Sequence, residues 1–283
     1  MKRAGFIGLG SQGAGMAQRM IEKGIPTTLW ARNEKSLEPF LDKAAFAKDP
    51  AALGRESDVV GICVTDGAAV REVTLGERGV LAGMSPGSVL AIHATIGTEE
   101  CDEIAEAAAR KAVHVVDAPV SGGGAAAAAG KLTVYVGGAD EAVAQARPVL
   151  STYGDPVLHM GAFGSGLRTK LMNNILNAAH FALAHDVMAI GTSLGLDKGK
   201  LADALQHGSG RSYSLEVFIG LGSFDLFADH VGPLLSKDVS LFSRETQQSS
   251  IFESGVLLQA ADRFLSLLGH PRAELTRGEG EGA

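Results

Sequence analysis

The chain has 283 residues, 46% hydrophobic and 20% charged, with only 5% aromatic. That is enough apolar content for a full core, and it excludes a disordered chain, a disulfide mini-scaffold and a collagen-like repeat. Twenty-five Lys and Arg against 32 Asp and Glu leave a net charge of −7 with no basic block, which excludes an electrostatic nucleic-acid binder and a chain held to an anionic membrane.

No run reaches the ~20 apolar residues of a membrane span. Met1-Lys2-Arg3 leads into a stretch, residues 5–15, with five glycines, too little apolar bulk for a signal peptide. Cys63 and Cys101 form no C-x-x-C and no disulfide framework. A soluble, cytoplasmic protein with reduced thiols is expected.

In chain order, short apolar runs fall at 4–8, 27–31, 59–64, 88–92, 113–118, 132–136 and 157–160. Segments of helical character lie between most of them, at 13–23, 67–74, 99–110 and 140–153. This alternation predicts βαβ units and a mainly parallel sheet. Val59 to Val64 is apolar on both faces, as a strand covered from both sides must be.

After Gly161 the texture changes. Residues 166–194 lack proline, and Leu167, Leu171, Ile175, Leu183, Val187 and Ile190 recur at a helical period. One helix here would span about 40 Å, long enough to join two domains, with Gly195 as its stop. Residues 197–270 read as shorter helices with loops near 207–214 and 220–233. The expected organisation is an α/β Rossmann domain over 1–161, an all-α domain over 162–270 entered by the long helix, and a disordered tail over 271–283. The alanine run 125–129 reads either as a packed helical turn or as a surface segment.

Four motifs carry chemistry. The first is Gly8-Leu9-Gly10-Ser11-Gln12-Gly13, between an N-terminal strand and an amphipathic helix. The three glycines serve a tight turn, close approach of a pyrophosphate and helix–strand packing, and the helix N–H groups hold the anion. In that context the motif is a dinucleotide fingerprint rather than a mere glycine-rich turn. The second is the end of the next strand, Trp30-Ala31-Arg32-Asn33. The acid that would take a ribose 2′-hydroxyl is missing, Glu34 being beyond the strand. Arg32 could pair with a 2′-phosphate, so NADP is favoured over NAD, although Arg32 also reads as ordinary surface.

The third motif is Asp117-Ala-Pro-Val-Ser121-Gly122-Gly123-Gly124, after a strand and hence at a carboxyl end of the sheet. Its backbone N–H groups and the Ser121 hydroxyl could wrap a carboxylate; it could equally be a flexible loop. The fourth places Lys170 and Asn174 four residues apart, on one helix face, next to Asn173. Solvated surface is one reading. In a cleft, the lysine would exchange a proton with a substrate oxygen that the asparagine orients.

As an ordered set these residues give F-I-G-L-G-x-x-G-x-x-M-A, D-A-P-V-S-G-G, G-x-G-x-x-x-K-x-x-N-N and Lys237-Asp238. The chain resembles the β-hydroxyacid dehydrogenases, relatives of 3-hydroxyisobutyrate dehydrogenase and tartronate semialdehyde reductase, from residue 3 to about 265. The resemblance implies NAD(P)-dependent oxidation of a small β-hydroxy acid, or reduction of its semialdehyde, and a 6-phosphogluconate dehydrogenase-like helical domain. It implies Lys170 as the catalytic lysine with Asn174 as its substrate-orienting partner. Ser121, Gly122 and Gly123 would hold the substrate carboxylate, Thr95 would stand beside the nicotinamide, Val64-Thr65-Asp66 would line the cofactor, and Lys237 would reach it from the helical domain. A homodimer or homotetramer through residues 166–270 is implied as well.

Two departures bear on substrate identity. Ala126 stands where the family often has glycine, and the family's S-T-I-x-P reads Ala94-Thr95-Ile96-Gly97-Thr98. Arg168 and Gly208 to Ser212 are further candidates for substrate contact, or plain surface. An imine or other carbonyl reductase on the same scaffold is the neighbouring reading, and retention of Lys170 and Asn174 argues against it. A nucleotide sensor without turnover is the reading from another class, and the intact motif set argues against that. His180 and His185 are five apart and make no metal pair; no metal is expected.

Overall fold

The structure, a computed structural model, describes residues 2–247 and 255–272. The chain divides at Lys170/Leu171 into two compact units.

The first unit is built on a sheet of β1 (Ala4–Ile7), β2 (Thr27–Trp30), β3 (Ala45–Phe46), β4 (Val59–Ile62), β5 (Val89–Ile92), β6 (His114–Asp117), β7 (Val120–Ser121), β8 (Leu132–Gly137) and β9 (Gly154–Gly161). Its order is β3-β2-β1-β4-β5-β6-β8-β7, with β9 beside β8. From β3 to β6 every pairing is parallel; β8 runs antiparallel to β6 and β7. Strand order reverses between β1 and β4, so the crevice at their carboxyl ends is the switch point where doubly wound folds bind ligands.

Side-chain alternation feeds two cores. Val59 of β4 and Val89 and Ala91 of β5 face one layer, with α1 (Gly13–Glu22), α6 (Gly123–Ala129) and α7 (Asp140–Leu150). Val60, Ile62, Leu90 and Ile92 face the other, with α2 (Pro50–Arg55), α3 (Gly67–Leu75), α4 (Val80–Gly83) and α5 (Thr98–Ala109). Burying both faces is what made these strands read as unbroken apolar runs. Met16, Ala17 and Met20 form the buried stripe of α1, as its spacing predicts. Asp49 and Asp66 accept from Ala52 and Ala69 backbone N–H groups and cap α2 and α3.

The alanine run is a packed helical turn with one exposed side: Ala127 is buried, while Ala125, Ala128 and Ala129 are exposed. It forms α6, which packs on α1 so tightly that a Cβ at Gly15 would stand 2.8 Å from the Ala128 nitrogen.

The second unit contains most of α8 (Ser165–Ser193), then α9 (Lys198–His207), α10 (Tyr213–Leu221), α11 (Asp225–Gln247) and α12 (Gly255–Leu267). Its core centres on Phe181, Phe218, Phe224 and Phe264; Phe181 and Phe264 stack with centroids 4.9 Å apart. The long helix begins and ends within a residue of its predicted bounds, and Gly195 beyond it has φ +80°.

The loop expected over 220–233 is far shorter. Gly222, at φ +73°, ends α10, but α11 starts at Asp225 and runs through Pro233. Leu235, Val239 and Phe242 are buried in the core, and that packing outweighs the one backbone bond the proline forgoes. Gly232 is a close-approach glycine, whose Cβ would strike the His270 ring.

Of the expected tail, 273–283 lie outside the described residues. Pro271 accepts from the Ser236 hydroxyl and Arg272 pairs with Asp262 at 2.8 Å. Among the described residues no helix is long and apolar enough to cross a membrane, and no group of three or more His, Cys, Asp or Glu could hold a metal ion.

Candidate dinucleotide and substrate sites

Gly8, at the end of β1, has φ +93°, and a Cβ there would run into the Cys63 carbonyl at the end of β4. Only glycine lets the two strands meet there. Gly13 opens α1, where a Cβ would strike the Gly8 carbonyl, so helix and strand are in backbone contact. Gly10 differs: a Cβ there would meet nothing within 4 Å. It faces open space, as a residue approached by a diphosphate must. No side chain caps α1 and its first turn holds no acid, which leaves its positive end for an anion. The loop Gly8, Leu9, Gly10, Ser11, Gln12, Gly13 therefore fits a dinucleotide.

The other cofactor candidates of the first unit follow the carboxyl ends of its strands. Arg32, just past β2, is 80% exposed and stands 3.7 Å from Glu72. Such an exposed pair contributes about 1 kcal/mol or less, so the guanidinium is easily given to another anion. Val64, Thr65 and Asp66 follow β4. The Thr65 hydroxyl donates to Asp66, whose carboxylate also caps α3, so Asp66 has a structural duty besides any cofactor contact. Thr95, partly buried, follows β5.

Just before Thr95, His93 is buried. Its Nδ1 lies 2.7 Å from the Ala118 carbonyl and its Nε2 3.1 Å from the Tyr153 hydroxyl. Burial pushes its pKa down to about 4, against the raising effect of the Ala118 bond. The ring is neutral, and since a carbonyl only accepts, Nδ1 carries the hydrogen. His93 thus ties the end of β5 to the end of β6.

Ser121 ends β7, and Gly122 (φ +129°) and Gly123 (φ +71°) turn the chain directly into α6. The serine–glycine segment is thus a strand end and a helix start. Asp117, four residues earlier, is buried and accepts from the backbone N–H groups of Gly164 and Leu167 at 2.7 and 2.6 Å. Burial raises its pKa, opposed by these backbone bonds. Lys170, half-buried, comes one turn later on α8.

In the second unit Asn174 is buried, and its Nδ2 donates to Asp238 at 2.6 Å. The Lys237 ammonium stands 2.9 Å from the other oxygen of Asp238. Asp238 thus joins Asn174 to Lys237, two residues singled out for different tasks. Sequence reasoning gave no role to Asp117 or Asp238, whose only signal was an acid inside a motif; His93 reads from its place at a strand end as structural, and it is. Arg168 and Gly208 to Arg211 are exposed.

Residues 3–161 match the family described as the NAD binding domain of 6-phosphogluconate dehydrogenase, and residues 164–258 that described as NAD-binding of NADP-dependent 3-hydroxyisobutyrate dehydrogenase. The chain is 31% identical to L-threonate dehydrogenase of Cupriavidus necator over 245 residues, 83% of this chain and 82% of that one. It is 34% identical to 3-hydroxyisobutyrate dehydrogenase of Pseudomonas aeruginosa over 214 residues, 75% and 72% of the two chains. Among solved structures, 3-hydroxyisobutyrate dehydrogenase of Mycobacterium tuberculosis with L-serine has the same fold, with a TM-score of 0.84 and 24% identity over 96% of each chain.

Proposed function

The chain belongs to the NAD(P)-dependent β-hydroxyacid dehydrogenase family, and we propose that it moves a hydride between NADP(H) or NAD(H) and a small β-hydroxy acid or its semialdehyde, with Lys170 as general acid and base. The observation that carries this reading is on α8. An amine at Lys170 is followed four residues later by a buried carboxamide, Asn174, whose orientation Asp238 sets.

Bound at the Gly8–Gly13 loop, the nicotinamide cofactor supplies or accepts the hydride. The chain's residues do the rest. Ser121, Gly122 and Gly123 hold the substrate carboxylate. Asn174 orients the hydroxyl. Neutral Lys170 takes the hydroxyl proton in oxidation, and its ammonium returns a proton to the carbonyl oxygen in reduction. Thr95, Val64, Thr65, Asp66 and Lys237 are assigned to the cofactor. Nicotinamide absorbance, followed with both cofactors against a panel of short β-hydroxy acids and semialdehydes, tests the reading. Silence across the panel with cofactor still bound would sink it.

NADP is the preferred cofactor in this reading, because the acid that would take a ribose 2′-hydroxyl is missing after β2 and Arg32, in an exposed ion pair, stands there instead. A charge-assisted contact to a 2′-phosphate is worth about 1.5–3 kcal/mol. Arg32→Ala is expected to raise KM for NADP by about 10- to 100-fold and to leave KM for NAD alone. Equal effects on both would assign the arginine to surface.

A homodimer or homotetramer through residues 166–270 completes the proposal. Met172, Leu176, Leu183, Val187 and Ile190 are exposed along α8, a longer apolar stripe than a monomer normally leaves to water. Light scattering is expected to give a dimer or tetramer, and Leu183→Glu a smaller species. A monomeric wild-type protein at micromolar concentration would refute the assembly.

A further inference from the structure

We propose that Asp117 is a positioning residue of this reaction: its buried carboxylate fixes the first turn of α8, and through it Lys170, onto the end of β6 from which the Ser121–Gly123 segment departs. The inference rests on the dehydrogenase reading above.

Asp117 is the last residue of β6 and is 2% exposed. One carboxylate oxygen takes the Gly164 N–H and the other the Leu167 N–H, 47 and 50 residues away in sequence. Two glycines make the space. A Cβ at Gly166, on α8, would lie 2.9 Å from Oδ2 and 3.0 Å from the Gly137 nitrogen. A Cβ at Gly137, at the end of β8, would strike Oδ1 and lie 2.9 Å from the Gly166 nitrogen. The backbones of β8 and α8 therefore meet with the carboxylate held between them.

A buried anion is costly unless donors surround it. Here the donors are N–H groups that a helix start leaves unsatisfied, at its positive end. A hydroxyl could cap one of them; a carboxylate holds two, one on each oxygen, and so sets the direction of the helix as well as its start. In one direction the chain runs from Asp117 through Ala118, Pro119 and Val120 to Ser121. In the other, Leu167 is three residues from Lys170. One side chain thus spaces the carboxylate-holding segment from the proton-transferring amine. A shift of about 1 Å in such a spacing costs on the order of 10²-fold in rate.

Asp117→Asn keeps the shape, removes the charge and turns an N–H group towards a backbone N–H. We expect kcat to fall about 10²-fold while NADPH binding, read by fluorescence titration, is unchanged. The discriminating measurement is a double-mutant cycle. If Asp117 acts through Lys170, adding Asp117→Asn to Lys170→Ala costs almost nothing further. Losses that multiply in the double variant, or a kcat within about threefold of wild type in the single one, overturn the proposal. Asp117→Ser, which retains one acceptor, takes the same cycle if the asparagine variant does not fold. A Lys170→Ala enzyme that turns over normally overturns the underlying reading, and this proposal with it. A slow Lys170→Ala enzyme beside a normal Asp117→Asn enzyme overturns this proposal alone.

Discussion

Lys170→Ala is expected to lower turnover about 10²- to 10⁴-fold, the usual worth of a positioned acid–base group, while cofactor affinity stays at the wild-type value. The split follows from where the residue sits. The diphosphate loop is closed by Gly8 and Gly13 on β1 and α1, and nothing in that junction depends on the second turn of α8. Lys170 is half-buried and Leu167, a turn before it, packs in the core, so removal of the amine leaves the helix anchored. The variant should therefore bind NADPH, fold normally and fail at proton transfer. KM for the hydroxy acid is expected to change little, because the carboxylate is assigned to Ser121, Gly122 and Gly123. Turnover within a few-fold of wild type would remove Lys170 from the mechanism; loss of NADPH binding would mean that it serves the cofactor instead.

The parts of this protein that were legible in its sequence are those set by local pattern. Val59 to Val64 had to be a doubly covered strand because both its faces are apolar, and it pairs between β1 and β5. Gly8, Gly10 and Gly13 had to be a turn because their spacing has one steric meaning between a strand and a helix. The illegible parts are set by tertiary contact. Gly122 and Gly123 read as loop, yet their positive φ angles deliver the chain straight into α6. Residues 220–233 read as a loop, yet α11 starts at Asp225 and Leu235 and Val239 hold it through Pro233. In the candidate site the chemistry-bearing residues could be named from motifs, but their partners could not. Asn174 finds Asp238 across 64 residues, Asp117 finds α8 across 50, and His93 finds Tyr153 across 60. Helical or strand periodicity carries no information at such separations, whereas a buried polar group's need for a partner says only that one must exist.

His93 carries the second large prediction, a loss of stability on mild acidification. The ring stacks on Phe6 at a centroid distance of 5.9 Å and meets Tyr153 edge-on, so no water solvates a charge there. Its folded pKa is pushed down to about 4 by burial, against about 6.5 in the unfolded chain. Between those values the unfolded state binds the proton and the folded state does not. Stability therefore rises with pH across this window: it is fully present above about pH 6.5 and lost as pH falls towards 4. The shift corresponds to about 3 kcal/mol, or a fall in Tm of order 10 °C for a unit of this size. Carboxylates titrate in the same range, so the measurement is a difference. Wild type and His93→Gln are melted between pH 4.5 and 7.5, and the variant, less stable at neutral pH, should show the shallower dependence. Equal slopes, or an imidazole resonance of His93 titrating near 6.5 in the folded protein, would refute it. The effect should reach activity before it reaches unfolding, because the same ring holds the strand end that leads to Thr95 against the one that leads to Ser121.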